Sequence, residues 1–301
     1  MLKARVDGLM RAIAAQGALS RRPHAINNVA AYSGGVDSTL AAALVHRVFP
    51  ESSAACLGVS PSLSQHQYAQ AVEVARAIGL PLWECETTEG EHEKYVENQG
   101  QSCYYCKTNL YETIRQVTEY AVKQFEGGDR EDGDERLVIY NGTNKDDLKD
   151  QTRVGLIAAK EFQVVSPLAD LTKTEVREMA KYLGLPNWNA AASPCLRSRL
   201  EFGIDATKEH LKRVEEAERF VRTALSLAHD VSMRVRFLAG NRAAVELDDE
   251  GISRVTGQEE AIMTELERLG FTSVGIRAFR SGSLSGYVPV EHSPAARVQS
   301  R

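Results

Sequence analysis

The nine residues AYSGGVDST, from Ala31 to Thr39, decide the fold of this 301-residue chain. A short apolar stretch typical of a β-strand leads into them, and an Ala/Leu-rich stretch typical of a helix follows. In such a strand–turn–helix unit, glycines let the backbone approach an anion, and the first N–H groups of the helix point at it. Ser38 is also predicted to cap the helix. The predicted phosphate-binding residues are Ser33, Gly34, Gly35, Asp37 and Ser38.

The spacing of this turn distinguishes it from two common nucleotide-binding loops. The Walker A loop needs Gly-x4-Gly-Lys-Ser/Thr, and dinucleotide-binding folds need Gly-x-Gly-x-x-Gly. Ser-Gly-Gly-Val-Asp-Ser instead resembles the PP-loop of ATP pyrophosphatases, which cleave ATP between the α and β phosphates and adenylate a substrate. A carboxylate beside phosphates is repelled unless a cation mediates, so Asp37 predicts Mg²⁺ bound together with ATP.

Composition and charge narrow the class of protein. Lys and Arg number 36 against 41 Asp and Glu, a net charge of −5, which argues against a surface that tracks nucleic acid. No apolar run approaches the length of a membrane span. Five cysteines in a chain without secretory features make a disulfide framework improbable. We expect a cytoplasmic protein, with an organellar targeting segment in residues 1–30 left open.

The order of the predicted elements indicates two domains. From residue 29 to about 190, strands alternate with helices, which predicts an α/β domain with a parallel sheet and a ligand at the carboxyl ends of the strands. Beyond residue 203 the order α-β-β-α-β predicts a small α+β domain. We therefore expect a PP-loop domain over 1–200 and a substrate or oligomerisation domain over 201–301, whose tail is frayed.

Two further predicted strand ends carry polar residues. Ser60 ends the second strand, and the segment Asn141–Asp147 follows a later one. An Asn-, Gly- and Asp-rich segment is often a plain turn. Because the carboxyl ends of parallel strands meet at one edge, we predict that Ser60, Gly142 and Asn144 approach the nucleotide.

Three of the five cysteines lie in polar, turn-like settings, whereas Cys56 and Cys85 read as buried core residues. Cys103 and Cys106 form a Cys-x2-Cys pair, and Cys195 lies far along the chain. Zinc would usually take a fourth protein ligand. Three thiolates on a cubane cluster leave one iron open, for example to sulfide. A redox dithiol with Cys195 as a persulfide carrier, or simple packing, are the alternatives.

Several arginines are candidates for an anionic substrate. Arg234 and Arg236 lie two apart on a predicted strand and share one face. Paired guanidiniums suit a phosphate or carboxylate. The alternative is that the two arginines lie on an exposed strand face and form ion pairs with cross-strand acids such as Glu246. The candidate substrate-binding residues are Arg199, Arg234, Arg236, Arg280 and Ser281.

Together these motifs resemble the LarE family of ATP-dependent sulfur transferases, and the resemblance spans nearly the whole chain. The matching runs are residues 33–38, 103–107, 142–147, 166–168, 183–188, 195–199, 233–236 and 279–282. The resemblance implies sulfur insertion during synthesis of the nickel-pincer nucleotide. A carboxylate of pyridinium-3,5-biscarboxylic acid mononucleotide would be adenylated by ATP and converted to a thiocarboxylate.

The resemblance also implies roles for particular residues. One branch of the family sacrifices a cysteine, at a position that falls on Pro194 here; in the other, three cysteines hold a 4Fe–4S cluster that relays sulfide. The second branch implies Cys103, Cys106 and Cys195 as cluster ligands. Glu218 matches an acid of a metal site, and the family assembles as homo-oligomers. A PP-loop tRNA thiolase and a non-catalytic ATP- or iron–sulfur-binding protein are the alternative functions.

Overall fold

The computed structural model describes residues 2–19, 25–125, 136–150, 152–228 and 231–279. The first part of the chain contains α1 (Leu2–Gln16), β1 (Asn28–Tyr32), α2 (Val36–Val48), β2 (Ser53–Val59), α3 (Gln65–Ala77), β3 (Leu82–Glu86), α4 (Glu93–Val96), α5 (Ser102–Phe125), β4 (Val138–Tyr140), α6 (Lys145–Lys149), α7 (Gly155–Glu161) and α8 (Lys173–Tyr182). The later part contains α9 (Lys208–Ala224), β5 (Met233–Leu238), β6 (Arg242–Leu247), α10 (Asp249–Ser253), α11 (Glu259–Arg268) and β7 (Ser273–Ala278).

The first part forms a parallel four-stranded sheet in the order β3-β2-β1-β4. Residues of α1, α2, α3 and α8 pack on one face, and residues of α5 and α7 pack on the other. Alternate β1 side chains enter the two cores, which explains why the strand is apolar throughout. This confirms the predicted α/β fold. The glycine turn leaves the carboxyl end of β1, between two neighbouring strands, where such sheets bind ligands.

A second sheet has the order β5-β6-β7, with β5 and β6 antiparallel and β6 and β7 parallel. Helices α9 and α11 cover it, as the predicted α+β arrangement requires. Its apolar core also takes in Tyr95, Leu196 and Leu200 from the first part of the chain. The division between residues 200 and 201 stays a prediction.

Two local predictions differ from the structure. Helix α2 begins at Val36 with Gly35 as its N-cap residue, so the prediction that Ser38 caps the helix was wrong. Helix α5 begins at Ser102, so Cys103 and Cys106 lie in its first two turns and not in a separate turn. The packing of α5 against α7 and the sheet stabilises a helical start that the local residues alone do not favour.

Some predictions concern residues that the structure does not describe. Arg280 and Ser281, and the tail over 290–301, lie outside the described residues. Within the described part of the chain, no helix has the length and apolarity that crossing a membrane requires.

Candidate functional site

The glycine turn is fixed by close packing against α3 and by hydrogen bonds within the turn. Gly34 has a φ of +74°, and a Cβ there would lie 2.7 Å from the Cβ of Ala71 in α3. Both facts require glycine. Within the turn, the Ser33 amide donates to the Ser38 hydroxyl at 3.2 Å, which in turn donates to the Gly35 carbonyl at 3.0 Å. The serines therefore brace the turn at the start of α2.

The carboxylate of Asp37 is held by two residues from other elements. The side-chain amide of Asn144 donates to Asp37 Oδ1 at 3.1 Å, and the ammonium group of Lys173 pairs with Oδ2. Gly142 lies so close that an added Cβ would be 2.5 Å from the Ser38 amide nitrogen. The structure thus brings Gly142, Asn144 and Lys173 to the turn, and the approach of Gly142 and Asn144 to a nucleotide stays a prediction.

Lys173 is a residue that the sequence analysis missed. It is the first residue of α8, directly after Thr172, whose side chain caps that helix in a capping box with Glu175. The capping signal predicts where α8 begins, but not that the start of α8 faces the β1 turn. Lys173 thereby adds a cation beside the glycine turn.

Ser60 has a local structural contact at the end of β2. Its hydroxyl accepts the Ser62 amide at 3.3 Å. The Ser62 carbonyl accepts the amide of Leu196 at 2.9 Å, which ties the segment carrying Cys195 to the carboxyl edge of the sheet. The Ser62 hydroxyl is also hydrogen-bonded to the Tyr95 hydroxyl.

The three predicted thiols form one electrostatic group. All are free; Cys103 is exposed, and Cys106 and Cys195 are half-buried. Burial raises the pKa of the Cys106 thiol to about 12, and the charges of Glu89, Cys195 and Cys103 act in the same direction. The charges of Cys103 and Cys195 thus act on the Cys106 thiol.

Two cations accompany this group. The Arg197 guanidinium donates to Cys103 Sγ at 3.1 Å. Burial opposes the charge on Arg197, but the sulfur groups of Cys103 and Cys195 outweigh it and raise the arginine pKa. Lys107 likewise has a raised pKa, because neighbouring Tyr111 and the thiols outweigh its burial. Arg197 and Lys107 therefore place positive charge beside the sulfur atoms, although burial keeps the Cys106 thiol in its protonated form.

Among the described residues, no three or more His, Cys, Asp or Glu side chains are arranged to hold a metal ion. The predicted Mg²⁺ at Asp37, the metal role of Glu218 and the 4Fe–4S cluster are therefore not shown. The thiols fit a thiolate-bound cluster in donor chemistry, since three free sulfurs lie beside two cations. The positions of these sulfurs do not by themselves form a metal site.

The candidate substrate arginines have different surroundings. Arg199 is buried and pairs with Glu218 through two nitrogens, at 2.9 and 3.3 Å. It also donates to the Cys195 carbonyl at 3.1 Å, so it fastens the cysteine segment to α9. Arg236 is buried in an ion pair with Glu246 at 2.7 Å, the cross-strand alternative. Burial lowers the pKa of Arg234 to about 10, and the positive charge of Arg199 acts in the same direction.

A cavity of about 930 Å³ lies between α3 and α9. Arg234, Arg199, Glu218 and Ser193 are among the residues that line it. Of the described residues that line it, none belongs to the glycine turn or to the three thiols. The cavity adjoins the segment that carries Cys195, and Arg234 supplies it with a cation.

The NAD synthase family model matches residues 19–196, which include the glycine turn, the thiols and Lys173. The chain belongs to this family. It is 34% identical over 263 residues to an uncharacterized protein of Synechocystis, covering 85% of this chain and 90% of that protein.

Two further similarities bear on chemistry. The chain is 27% identical over 260 residues to the pyridinium-3,5-bisthiocarboxylic acid mononucleotide synthase of Lactiplantibacillus plantarum, covering 85% of this chain and 87% of the synthase. This confirms the predicted resemblance. A GMP synthase of Leifsonia xyli is 30% identical over 217 residues, 66% of this chain but 42% of that enzyme. Family and turn together support a PP-loop enzyme that uses ATP.

Proposed function

We propose that this protein is an ATP-dependent sulfurtransferase. Its substrate would be a carboxylate of pyridinium-3,5-biscarboxylic acid mononucleotide, and its product the thiocarboxylate used for the nickel-pincer nucleotide. The observation that carries the proposal is one chain with both a PP-loop turn and three free thiols beside Arg197 and Lys107. Similarity to a bisthiocarboxylic acid mononucleotide synthase supports the choice of substrate.

Adenylation makes the exchange of oxygen for sulfur chemically accessible. A carboxylate oxygen attacks the α-phosphorus of ATP, the bond to the β-phosphate oxygen breaks, and pyrophosphate leaves. A sulfur nucleophile then attacks the carbonyl carbon of the acyl adenylate, and AMP leaves with the former carboxylate oxygen. Backbone N–H groups of the turn and the Lys173 ammonium stabilise the charge that builds on pyrophosphate.

The remaining residues bind and position the reactants. Ser33 and Ser38 hold the turn in shape, and Asn144 and Lys173 hold Asp37. Burial and the charge of Arg199 lower the pKa of Arg234, so an anion bound in the cavity would stabilise the charged form of Arg234 by offsetting both effects.

A resident cluster would be held by Cys103, Cys106 and Cys195. A 4Fe–4S cluster with three thiolate ligands supplies an iron that is open to sulfide. Mg²⁺ would enter with ATP, beside Asp37, and Glu218 is the candidate for another metal contact. We also propose a cytoplasmic homo-oligomer that takes sulfur from sulfide or a sulfur donor and contacts neither membrane nor nucleic acid.

The test is turnover of the anaerobically purified protein with ATP, the biscarboxylic mononucleotide and sulfide. AMP, pyrophosphate and a thiocarboxylate identified by its mass are expected. Cys195→Ala should still release pyrophosphate but form no thiocarboxylate, whereas the matched variant Cys85→Ala, at a buried cysteine of β3, should form it.

Iron and acid-labile sulfide counts test the cluster separately. About four irons per chain are expected, lost in Cys103→Ala. No AMP with this substrate would contradict the proposal. AMP formation that requires tRNA would instead indicate a thiolase, and bound iron without any ATP turnover a carrier protein.

A further inference from the structure

The segment after α8 reaches back to the glycine turn through a buried side chain. Asn187 is 4% exposed. Its Nδ2 donates to the Gly34 carbonyl at 2.7 Å and to the Thr39 hydroxyl at 3.0 Å. Leu185 and Trp188 on either side pack into or against the main core, which fixes the position of the amide.

The Gly34 carbonyl belongs to the peptide unit that also carries the Gly35 N–H. The described residues contain no cis peptide bond, so this carbonyl and this N–H point in opposite directions. A hydrogen bond that holds the Gly34 oxygen on the Asn187 side therefore aims the Gly35 N–H to the other side. The Gly35 Cα itself is uncrowded, because an added Cβ would meet Ser33 Oγ at 3.5 Å, an ordinary contact.

This peptide unit needs an anchor more than its neighbour does. The following carbonyl, that of Gly35, accepts from the Thr39 amide at 2.9 Å and from the Ser38 hydroxyl, both within α2. Gly34, at a φ of +74°, rotates at little steric cost, so a free Gly34–Gly35 peptide would sample several orientations. The bond from Asn187 removes that freedom before any ligand arrives.

We propose that Asn187 is a positioning residue that sets the Gly35 N–H for the pyrophosphate part of ATP. The second atom of its amide agrees with this role. Oδ1 is buried and has no hydrogen-bond partner among the described residues, and turning the amide over would set this oxygen against the Gly34 carbonyl oxygen, where two acceptors repel. The inference rests on ATP use by the PP-loop and not on sulfur transfer.

Binding of Mg²⁺-pyrophosphate and of AMP, each measured by titration calorimetry, tests the assignment. Asn187→Asp keeps the size of the side chain but places a carboxylate oxygen against the Gly34 carbonyl. We expect pyrophosphate affinity to fall about 10- to 100-fold and AMP affinity to change less than about threefold. Asn187→Ala, which adds no charge, should show the same selectivity with a smaller loss. It carries the test if Asn187→Asp does not fold.

The matched control is Asn28→Asp. Asn28 is a fully buried amide at the opposite end of β1, bonded to the Ala18 backbone at 2.8 and 3.0 Å. It should lower the melting temperature and leave both affinities unchanged. Unchanged pyrophosphate affinity in the Asn187 variants, or an equal loss for both ligands, would overturn the assignment. Failure of the wild type to bind pyrophosphate would overturn it together with ATP use, whereas a selective loss without thiocarboxylate formation would overturn only the sulfurtransferase proposal.

Discussion

Replacing Lys173 by methionine should weaken ATP binding, because the substitution leaves the Asp37 carboxylate without its cation. The uncompensated Asp37 carboxylate and a phosphate charge about 4–5 Å from it would repel each other with about 3–4 kcal/mol at an effective dielectric constant near 20. The side chains of Lys173 and Asp37 are 37% and 24% exposed, so solvent and salt screen part of this. Halving the value gives about 1.5–2 kcal/mol, or a rise of roughly 10- to 30-fold in the KM for ATP.

The assay is pyrophosphate release as a function of ATP concentration at saturating substrate. Lys149→Met is the matched control, since Lys149 pairs with Asp146 at 2.9 Å on the exposed surface of α6. It should leave the KM within about twofold, as exposed pairs contribute little. Asp37→Asn in the Lys173→Met background removes the repulsion but also the carboxylate proposed to lie beside Mg²⁺, so it should not restore the KM.

Two results would refute this reasoning. An unchanged KM in Lys173→Met would show that Lys173 does not offset charge at the phosphates. A double variant with the KM of the wild type would show that Asp37 acts only by repelling the phosphates and not through Mg²⁺.

Three further outcomes are expected. Gly142→Ala forces a Cβ to within 2.5 Å of the Ser38 amide nitrogen, so urea unfolding should show a loss of about 1–3 kcal/mol, and an unchanged midpoint would refute the contact. Arg197→Gln removes the positive charge that lies beside Cys103 Sγ. Alkylation of Cys103, followed by mass spectrometry, should therefore slow several-fold, and an equal rate would show that the Arg197 charge does not promote the reaction of this thiol. Hydrogen bonds from Thr172 and Arg5 lower the pKa of Glu175 from 4.5 to about 2. The stability that the ionised Glu175 adds to the fold is therefore complete above pH 4.5 and is lost as the pH falls through 2. In Glu175→Gln the melting temperature should therefore depend less on pH between 4.5 and about 2 than in the wild type, and the same pH dependence in both proteins would refute this.

The glycine turn and its place in the fold were largely predictable from sequence, because their signals are local. A glycine run between a strand and a helix fixes both the turn and its position at the sheet edge. The same topological rule brought Gly142 and Asn144 to Asp37, although they lie more than a hundred residues away. The rule works because parallel strands end at one edge.

Lys173 and Asn187 could not be predicted because their roles arise from tertiary packing. They lie at the start of α8 and just beyond its end, and their partners lie in the β1 turn. Helix capping and the Gly-Leu-Pro sequence mark where α8 starts and stops, but no local pattern states which strand end it faces. Similarly, the alternating pattern of the strand around Arg236 was compatible with either a substrate or Glu246 as its partner. In the structure, Arg236 forms a buried ion pair with Glu246.

The most direct test of ATP-dependent sulfur transfer follows one oxygen atom. The biscarboxylic mononucleotide is labelled with heavy oxygen in its carboxylates and incubated anaerobically with ATP, sulfide and the protein, and the products are read by mass spectrometry. Transfer through an acyl adenylate should yield AMP that carries one heavy oxygen, in equal amount to a thiocarboxylate that has lost one. Unlabelled AMP, ADP as the nucleotide product, or labelled AMP without any thiocarboxylate would contradict it.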